Sequence, residues 1–222
     1  MITVFLPCRK GSERVKNKNT RPFAGIDGGL TYIKLQQLLN VAGVDKIILS
    51  TDDEEVKAIG KAFENSKIVI DNRPKDLASS STSTDEVVNY VPKIIQEGSV
   101  LWTHVTSPFI GAADYQRMID TYYEKLEVGF DSLMTVTTWY KFLWDKNGPI
   151  NYDRNIEKWP RTQTLPPLYE VNSGAFLADI SSYKYLGDRV GNKPFLYEQE
   201  ERKSFDIDWE DDYILAEYIW NG

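Results

Sequence analysis

Cysteine and histidine are nearly absent from this sequence of 222 residues. The only cysteine is Cys8 and the only histidine is His104. A single cysteine excludes an intrachain disulfide and a cysteine-built metal centre. The scarcity of histidine removes the usual base partner of a nucleophile, so we expect neither Cys8 nor Ser107 to act as one.

Long hydrophobic runs and a positive net charge are lacking as well. No apolar stretch approaches the roughly 20 residues that cross a bilayer, and a strand-like run follows Met1 without a signal-like segment. The formal net charge is -7 at pH 7, which repels polyanions at long range. We therefore expect a cytoplasmic protein that binds neither nucleic acid nor membrane.

Short apolar runs rich in β-branched residues alternate with helix-like segments over most of the chain. The runs are ITVFLP, KIILST, SKIVI, VLWTHVT and SLMTVTTW, beginning at residues 2, 46, 66, 100 and 132. Apolar residues at spacings of three and four predict a helix over residues 85–96, capped by Thr84 or Asp85. The alternation predicts a Rossmann-like, three-layer α/β fold with a mostly parallel sheet.

Residues 139–170 break this alternation. They contain KNGPIN, WPR and LPPL, whose Asn-Gly-Pro and Pro-Pro pairs are typical of a hairpin and an extended arm. The segment also contains three large aromatic residues, Phe142, Trp144 and Trp159. Because so small an arm cannot bury them by itself, we expect it to pair with a second copy in a homodimer. We assign residues 1–138 and 171–222 to one α/β domain that carries the arm as an insert.

A cationic loop follows the first apolar run. Its basic residues are Arg9, Lys10, Arg14, Lys16, Lys18 and Arg21, with Lys34 further along. In an open α/β sheet, the loop leaving the first strand often binds phosphate, and Gly11 and Ser12 allow a close backbone approach. The loop does not match GxxxxGK[ST], which argues against a Walker-type site. A polyphosphate held by Arg9 and Lys18 would explain the local positive charge; a solvated basic loop fits the spacing equally well.

The segment SFDIDWEDDY places two acids around an apolar residue. Asp206 and Asp208 flank Ile207, so an extended backbone would point both carboxylates to one side. Two hard oxygen ligands suit Mg²⁺, which completes its shell with phosphate oxygens and water. Asp211 and Asp212 fall in the first turn of a closing helix, where negative charge favours the dipole. The basic loop and the acid pair together suit catalysis on a triphosphate.

Three further motifs are weaker. Arg73 and the serines after it either contact a base edge or form a polar loop before a helix. Asn172, in VNSGAF, either orients a hydroxyl or amide or makes a turn. His104 is expected to be a core or supporting residue.

Five motifs in order resemble one family. LPCRKGSERVKNKN, RPKDLASS, TSPF, NSGAF and FDIDWEDDY occur at the intervals of the CMP-sialic acid synthetases, or acylneuraminate cytidylyltransferases, which are similar in turn to CMP-Kdo synthetases. The resemblance covers nearly the whole chain. It implies a nucleotidyltransferase fold and attack by the anomeric hydroxyl of a 2-keto-3-deoxy sugar acid on the α-phosphate of CTP. The products would be a CMP-sugar and pyrophosphate, with Mg²⁺ as cofactor.

The resemblance also implies roles for individual residues. The triphosphate and the departing pyrophosphate would be held by Arg9, Ser12, Lys18 and Asn19. The cytosine pocket would be lined by Arg73 and Ser79. Mg²⁺ would be bound by Asp206 and Asp208, one of which would help to deprotonate the sugar hydroxyl.

On the acceptor side, the implied contacts with the sugar or its carboxylate come from His104, Lys141, Arg161, Gln163 and Asn172. The arm would correspond to a dimerisation insert that reaches toward the neighbouring subunit's site.

The sequence departs from the family pattern at four positions. Ser80 stands in place of a usual aspartate, His104 in place of a glutamine, and Ile110 in place of a frequent arginine. Glu170 lies near a position where sialic acid members often have an arginine, and its carboxylate would repel that of a sugar acid. The nucleotide half therefore matches the family, whereas the sugar half is altered.

Two other classes of protein stay open. The fold and the D-x-D segment could serve a glycosyltransferase or a nucleotidyltransferase for another sugar, or the chain could be a nucleotide-binding homologue without catalysis. Only an enzyme that releases pyrophosphate needs a clamp for it, so Arg9→Ala separates these classes. The sequence specifies neither the sugar nor whether one metal ion or two act.

Overall fold

The computed structural model of the chain describes residues 1–222. Its main helices and strands are, in chain order, β1 (Ile2–Pro7), α1 (Gly29–Leu39), β2 (Lys46–Thr51), α2 (Glu54–Ala62), β3 (Ile68–Asn72), α3 (Thr84–Ile94), β4 (Ser99–Thr103), α4 (Ala112–Glu127), β5 (Ser132–Trp139), β6 (Trp144–Asp145), β7 (Gly148–Pro149), β8 (Leu168–Asp179), β9 (Pro194–Glu198) and α5 (Glu210–Asn221). None of the helices combines the length and apolar character that a membrane-spanning helix needs.

Seven strands form one sheet in the order β3-β2-β1-β4-β8-β5-β9. Strand β8 is antiparallel to both of its neighbours, β4 and β5, while all other pairings are parallel. The prediction of a mostly parallel α/β sheet is confirmed. Because parallel strands end at one edge, the loops that leave β1 and β4 lie side by side there.

Alternating side chains of the strands divide the core into two layers. In β1, Val4 and Leu6 join the cluster that packs against α1, α4 and α5. Phe5, between them, joins the smaller cluster that packs against α3. Each of these side chains is fully buried, which stabilises the fold by roughly 1.5–3 kcal/mol per residue. The sheet is thus covered on both faces, as a three-layer fold requires.

Helix α3 begins at a capping box. The Ser83 side chain accepts from the backbone N–H of Glu86, and the Glu86 carboxylate accepts from the backbone N–H of Ser83. The cap is therefore Ser83, and the predicted cap at Thr84 or Asp85 was one or two residues late. The reason is that the S-x-x-E pair satisfies two helix N–H groups at once.

Strand β4 is shorter than its apolar run. It ends at Thr103, so His104 lies in the following loop and not inside the strand. Helix α1 holds this loop, because the Lys34 ammonium donates to the carbonyls of Ser107 at 2.8 Å and Ile110 at 3.2 Å. The loop after β4 is thereby fixed beside the loop after β1.

The arm contains a small hairpin, formed by β6 and β7. Its predicted boundary at residue 170 falls inside β8, because the ladder between β5 and β8 continues to the pair Trp139 and Leu168. In the single chain Trp144 is 47% exposed and Trp159 is 64% exposed. Pairing of the arm with a second copy stays a prediction.

Candidate active site

Two cavities meet at the carboxyl edge of the sheet. The first, of about 720 Å³, lies over the ends of β1 and β4, and the second, of about 730 Å³, lies beside β5 and β8. Ser173, Asp206 and Asp208 line both cavities. The two cavities therefore share one boundary, and the acid pair lies on it.

The cationic loop is tied to the acid segment. Lys18 donates from Nζ to the carbonyl of Ile207 at 2.6 Å, and the same nitrogen lies 3.9 Å from Asp208 Oδ1. Asn19 donates to the carbonyl of Arg9 at 3.1 Å and so closes the loop on itself. Arg9, Ser12, Lys18 and Asn19 all line the first cavity. The structure thus brings the amino-terminal cations and the carboxyl-terminal acids into one cavity.

The two acids have different surroundings. Ile207 is fully buried in the core, which anchors the segment and leaves the flanking carboxylates at the cavities. Asp208 pairs with Arg14, the Nη2 of which lies 3.0 Å from Oδ1. Asp206 Oδ1 is buried and accepts no hydrogen bond. Of the pair, Asp206 has an acceptor oxygen that lacks a protein donor.

Burial shifts the protonation equilibria on both sides of this contact. It raises the pKa of Asp206, and the negative charge of Asp208 adds to that rise, whereas the Thr106 hydroxyl and the Lys18 charge oppose it. It lowers the pKa of Lys18, against the opposing effect of both aspartates. Burial therefore outweighs the attraction between the opposite charges, and the charged forms of Asp206 and Lys18 are each less favourable here than in water.

The acid pair fits a hard divalent cation. A buried carboxylate oxygen without a donor is a ready ligand, and a second carboxylate lines the same boundary. No third acidic, histidine or cysteine residue completes a metal-binding group. Most ligands would therefore have to come from substrate oxygens and water, as Mg²⁺ prefers.

Arg73 lies on the floor of the first cavity, where it is 6% exposed. Its Nε donates to Ser50 Oγ at 3.2 Å and its Nη2 to the Ser50 carbonyl at 2.9 Å. Ser79 does not line this cavity, because its hydroxyl bonds Ser81 and Thr82. Ser80 lines the cavity instead.

Cys8 also lines the first cavity. Burial raises the pKa of its thiol to about 12, which leaves no thiolate for nucleophilic attack.

His104 lines the first cavity rather than the second. Its Nε2 accepts from the indole of Trp102 at 3.0 Å, so the ring proton is on Nδ1. Burial lowers the pKa of His104 to about 3. The imidazole is therefore a neutral hydrogen-bond donor at pH 7.

Arg189 is a cavity residue that sequence reasoning missed. It follows the one-turn π-helix Ser182–Leu186 and lines the first cavity beside Trp102 and His104. No motif surrounds it, and only the tertiary fold carries it to this edge of the sheet. Arg14 is similar, since its pairing with Asp208 is not evident from the spacing of the basic loop.

The second cavity holds two of the predicted acceptor-side residues. Asn172 donates to the hydroxyls of Thr137 and Ser204, each at 3.2 Å. The Lys141 ammonium lies over the Trp139 ring, 3.5 Å from its centroid. Glu170 lines the same cavity and accepts from the Trp139 indole at 2.7 Å.

Two other predicted residues lie elsewhere. Arg161 and Gln163 are exposed on the arm and line neither cavity. Ile110, which replaces a frequent arginine, is fully buried in the core. Of the acceptor-side set, the single chain therefore brings only Lys141 and Asn172 into the second cavity.

Comparison with known sequences identifies the family. The sequence profile of a family described as cytidylyltransferase matches residues 3–219. This chain belongs to the cytidylyltransferase family. The match extends from β1 to α5 and so includes the cationic loop and the acid pair, in agreement with the resemblance seen in the motifs.

Two relatives of the chain are named as cytidylyltransferases. The chain is 25% identical over 222 residues to the N-acylneuraminate cytidylyltransferase of Escherichia coli O18:K1:H7. That alignment covers 97% of this chain and 51% of the relative. It is also 25% identical over 180 residues to a pseudaminic acid cytidylyltransferase of Campylobacter jejuni serotype O:2. That alignment covers 78% of this chain and 75% of the relative. The chain thus spans about half the length of the first relative.

Solved structures with the same fold are nucleotidyltransferases. A CMP-2-keto-3-deoxy-manno-octonic acid synthetase in complex with CTP superposes with a TM-score of 0.66 at 14% identity, over 99% of this chain and 98% of that one. A 4-diphosphocytidyl-2C-methyl-D-erythritol synthase of Anaerococcus prevotii superposes with a TM-score of 0.70 at 16% identity. The superposition covers 100% of this chain and 98% of that one. At these identities the likeness establishes the fold, and it confirms the predicted nucleotidyltransferase architecture.

Proposed function

We propose that this chain is a Mg²⁺-dependent cytidylyltransferase that transfers CMP from CTP to the anomeric hydroxyl of a 2-keto-3-deoxy sugar acid, releasing pyrophosphate. The observation that carries the proposal is the shared boundary of the two cavities. One cavity offers cations for a triphosphate, the other offers polar groups for an acceptor, and Asp206 and Asp208 line both. Such a boundary is where the α-phosphorus and the attacking hydroxyl would have to meet.

The first cavity is proposed to bind the nucleotide. Arg9 and Lys18 would hold the phosphates, with Ser12 and Asn19 supporting them from the same loop. Arg73, on the cavity floor, would face the base together with Ser80, which lies where Ser79 was predicted to act. Cationic groups preset around the phosphates favour the charge that develops on a departing pyrophosphate.

Asp206 and Asp208 are proposed to hold Mg²⁺, which would neutralise phosphate charge when bound. The acceptor hydroxyl forms a bond to the α-phosphorus, and the bond from that phosphorus to the bridging oxygen breaks. The hydroxyl proton would pass to a carboxylate at the boundary. In-line attack needs the hydroxyl on the side opposite to the leaving group, which is the side of the second cavity.

The second cavity is proposed to bind the sugar acid. Asn172 and Lys141 would bond its oxygens, and Arg161 and Gln163 would reach it only from the arm of a partner in a homodimer. The relatives named above act on N-acylneuraminate and on pseudaminic acid, so nonulosonic acids are the first acceptors to test. A cytoplasmic location stays a prediction.

Pyrophosphate release tests the proposal. The assay contains CTP, Mg²⁺ and, in turn, N-acetylneuraminic acid, pseudaminic acid or 3-deoxy-manno-octulosonic acid. We expect turnover with at least one acid, faster with CTP than with ATP, GTP or UTP, and a loss of about 100-fold or more in Arg9→Ala. Tight CTP binding without turnover on any acid would instead indicate a homologue that binds nucleotide without catalysis.

A further inference from the structure

Arg189 differs from the other cations of the first cavity in having no polar partner. Arg9 bonds the carbonyl of Gly11, Arg14 pairs with Asp208, Lys18 bonds Ile207, and Arg73 bonds Ser50. The Arg189 guanidinium instead lies over aromatic rings, with its Cζ 3.8 Å from the centroid of Phe176 and 5.0 Å from that of Trp102. Asp85 and Asp188 act on it only through their charge. Its N–H groups are therefore free to bond a ligand.

The fold holds this side chain in place from two sides. Trp102 and Phe176 are paired across β4 and β8, so their rings form one platform under the guanidinium. The loop after Arg189 is fixed by Asp131, whose carboxylate accepts from the backbone N–H groups of Asn192 and Lys193 at 2.7 and 3.0 Å. A guanidinium is planar, and its donors match the two oxygens of a carboxylate.

The second cavity lacks a charge that could recognise an acidic acceptor. Its acidic residues are Glu170, Glu198, Glu201, Asp206 and Asp208, and its one basic residue is Lys141. The Lys141 ammonium is already stacked on Trp139. Even with Mg²⁺ on the two aspartates, the three glutamates outnumber Lys141 and would repel a carboxylate placed among them. A cation outside the second cavity would stabilise that carboxylate.

Arg189 is placed to supply that cation. It lines the first cavity together with Ser173, Asp206 and Asp208, which also line the second cavity. His104 lies beside it as a neutral donor, with no protein partner found for its Nδ1. On the basis of the proposed function, we propose that Arg189 binds the carboxylate of the sugar acid from the first-cavity side and so determines acceptor specificity, while the acidic second cavity takes the hydroxylated tail.

The test uses initial rates of pyrophosphate release in saturating Mg²⁺, with either the acceptor or CTP varied while the other is saturating. The acceptors are the acid that the wild type turns over fastest and the C1 primary amide of the same sugar. In Arg189→Gln we expect KM for the acid to rise about 10- to 100-fold, because a charge-assisted paired contact is lost, while KM for CTP stays within about twofold. The preference for acid over amide should fall in the same variant, and Arg189→Lys should restore part of it.

Arg202→Gln is the matched control. Arg202 also lies over an aromatic ring, that of Phe109 at 5.5 Å, but lines neither cavity. The Arg202→Gln substitution should leave KM for the acid and KM for CTP unchanged. A melting temperature within a few degrees of wild type for each variant excludes a loss of fold.

The outcomes separate this inference from the proposed function. An unchanged KM for the acid in Arg189→Gln, with wild-type turnover intact, would overturn the inference alone. A raised KM for CTP with an unchanged KM for the acid would also overturn it and assign Arg189 to the nucleotide. Absence of pyrophosphate release by the wild type with every acid would overturn the proposed function, and the inference with it.

Discussion

At the scale of single residues, Asp206 carries the metal proposal. Its Oδ1 is buried without a donor, and burial raises its pKa, so its charge is unfavourable until a cation binds. We expect Asp206→Asn to lower turnover about 100-fold or more, yet to leave the melting temperature of the metal-free protein unchanged or higher. Pyrophosphate release and thermal denaturation measure the two effects.

Asp211→Asn is the control for this substitution. Asp211 lies in the first turn of α5 and lines neither cavity, so turnover should stay close to wild type. If Asp206→Asn kept full turnover in Mg²⁺, or if both variants lost it equally, the assignment of the metal to Asp206 would be wrong.

His104 predicts a pH dependence of stability. Its pKa is about 3 in the fold and about 6.5 in an unfolded chain. As the pH falls below about 6.5, the unfolded chain therefore binds a proton that the folded chain does not, and stability decreases until the pH reaches the folded pKa. Because the chain has one histidine, we expect this loss to amount to about 1 kcal/mol at pH 5.5 relative to pH 7.5.

Urea denaturation of the wild type and of His104→Gln measures this loss. Glutamine offers an acceptor to the Trp102 indole and does not titrate. The stability difference between the two proteins should shift by about 1 kcal/mol in favour of the variant between pH 7.5 and pH 5.5. A difference that is the same at both pH values would show that His104 titrates normally in the fold.

The sequence could indicate those site residues that lie in a short motif of their own. Arg9, Lys18, Asp206 and Asp208 lie in short segments with a charge pattern that the chemistry of a triphosphate explains, and the structure brings them together. Ser79 and Ser80 are neighbours with the same side chain, and only the backbone turn decides which one faces the cavity. Arg189 had no local signal, because its platform comes from two other strands.

At the scale of elements, the contact between α1 and the loop after β4 holds the site edge together. Lys34 is fully buried and its ammonium reaches the carbonyls of Ser107 and Ile110 and the hydroxyl of Tyr115. Removing it takes one donor from each of these three buried acceptors, and the Ile110 carbonyl has no other protein donor. We expect Lys34→Met to lower the free energy of unfolding by about 3 kcal/mol, as measured by urea denaturation.

Lys93→Met provides the comparison for this loss. Lys93 is exposed in the last turn of α3, so its substitution should change stability by no more than about 0.5 kcal/mol. Equal effects of the two substitutions would mean that Lys34 does not anchor the loop.

Most elements, but not all, could be predicted from periodicity. The runs at β1 and β2 match the observed strands because buried parallel strands are continuous apolar segments. The run at β5 also matches its strand, through its β-branched residues. Strand β8 was not among the apolar runs that predicted strands, since Ser173 has a left-handed backbone, with φ 57°, and Gly174 interrupts the apolar pattern. Its antiparallel direction depends on how the arm returns the chain beside β5, which no local pattern encodes.

At the scale of the whole molecule, the arm predicts a homodimer. Trp159 is 64% exposed and forms an edge-to-face pair with Phe142, 5.7 Å between centroids. A large exposed aromatic of this kind often contributes about 2 kcal/mol to an interface. We expect Trp159→Ser to weaken dimerisation about 30-fold, as measured by sedimentation equilibrium, whereas Tyr185→Ser, exposed outside the arm, should not. A wild-type monomer at micromolar concentration would contradict the prediction.

The central claim is that the amino-terminal cations and the carboxyl-terminal acids bind one metal–nucleotide complex. The most direct measurement is the anomalous difference density of Mn²⁺ in crystals grown with CTP. The account predicts one or two Mn²⁺ peaks within coordination distance of Asp206 and Asp208, and a triphosphate that contacts both Mn²⁺ and the Arg9 and Lys18 side chains. Manganese bound away from this pair, or a triphosphate outside the first cavity, would contradict it.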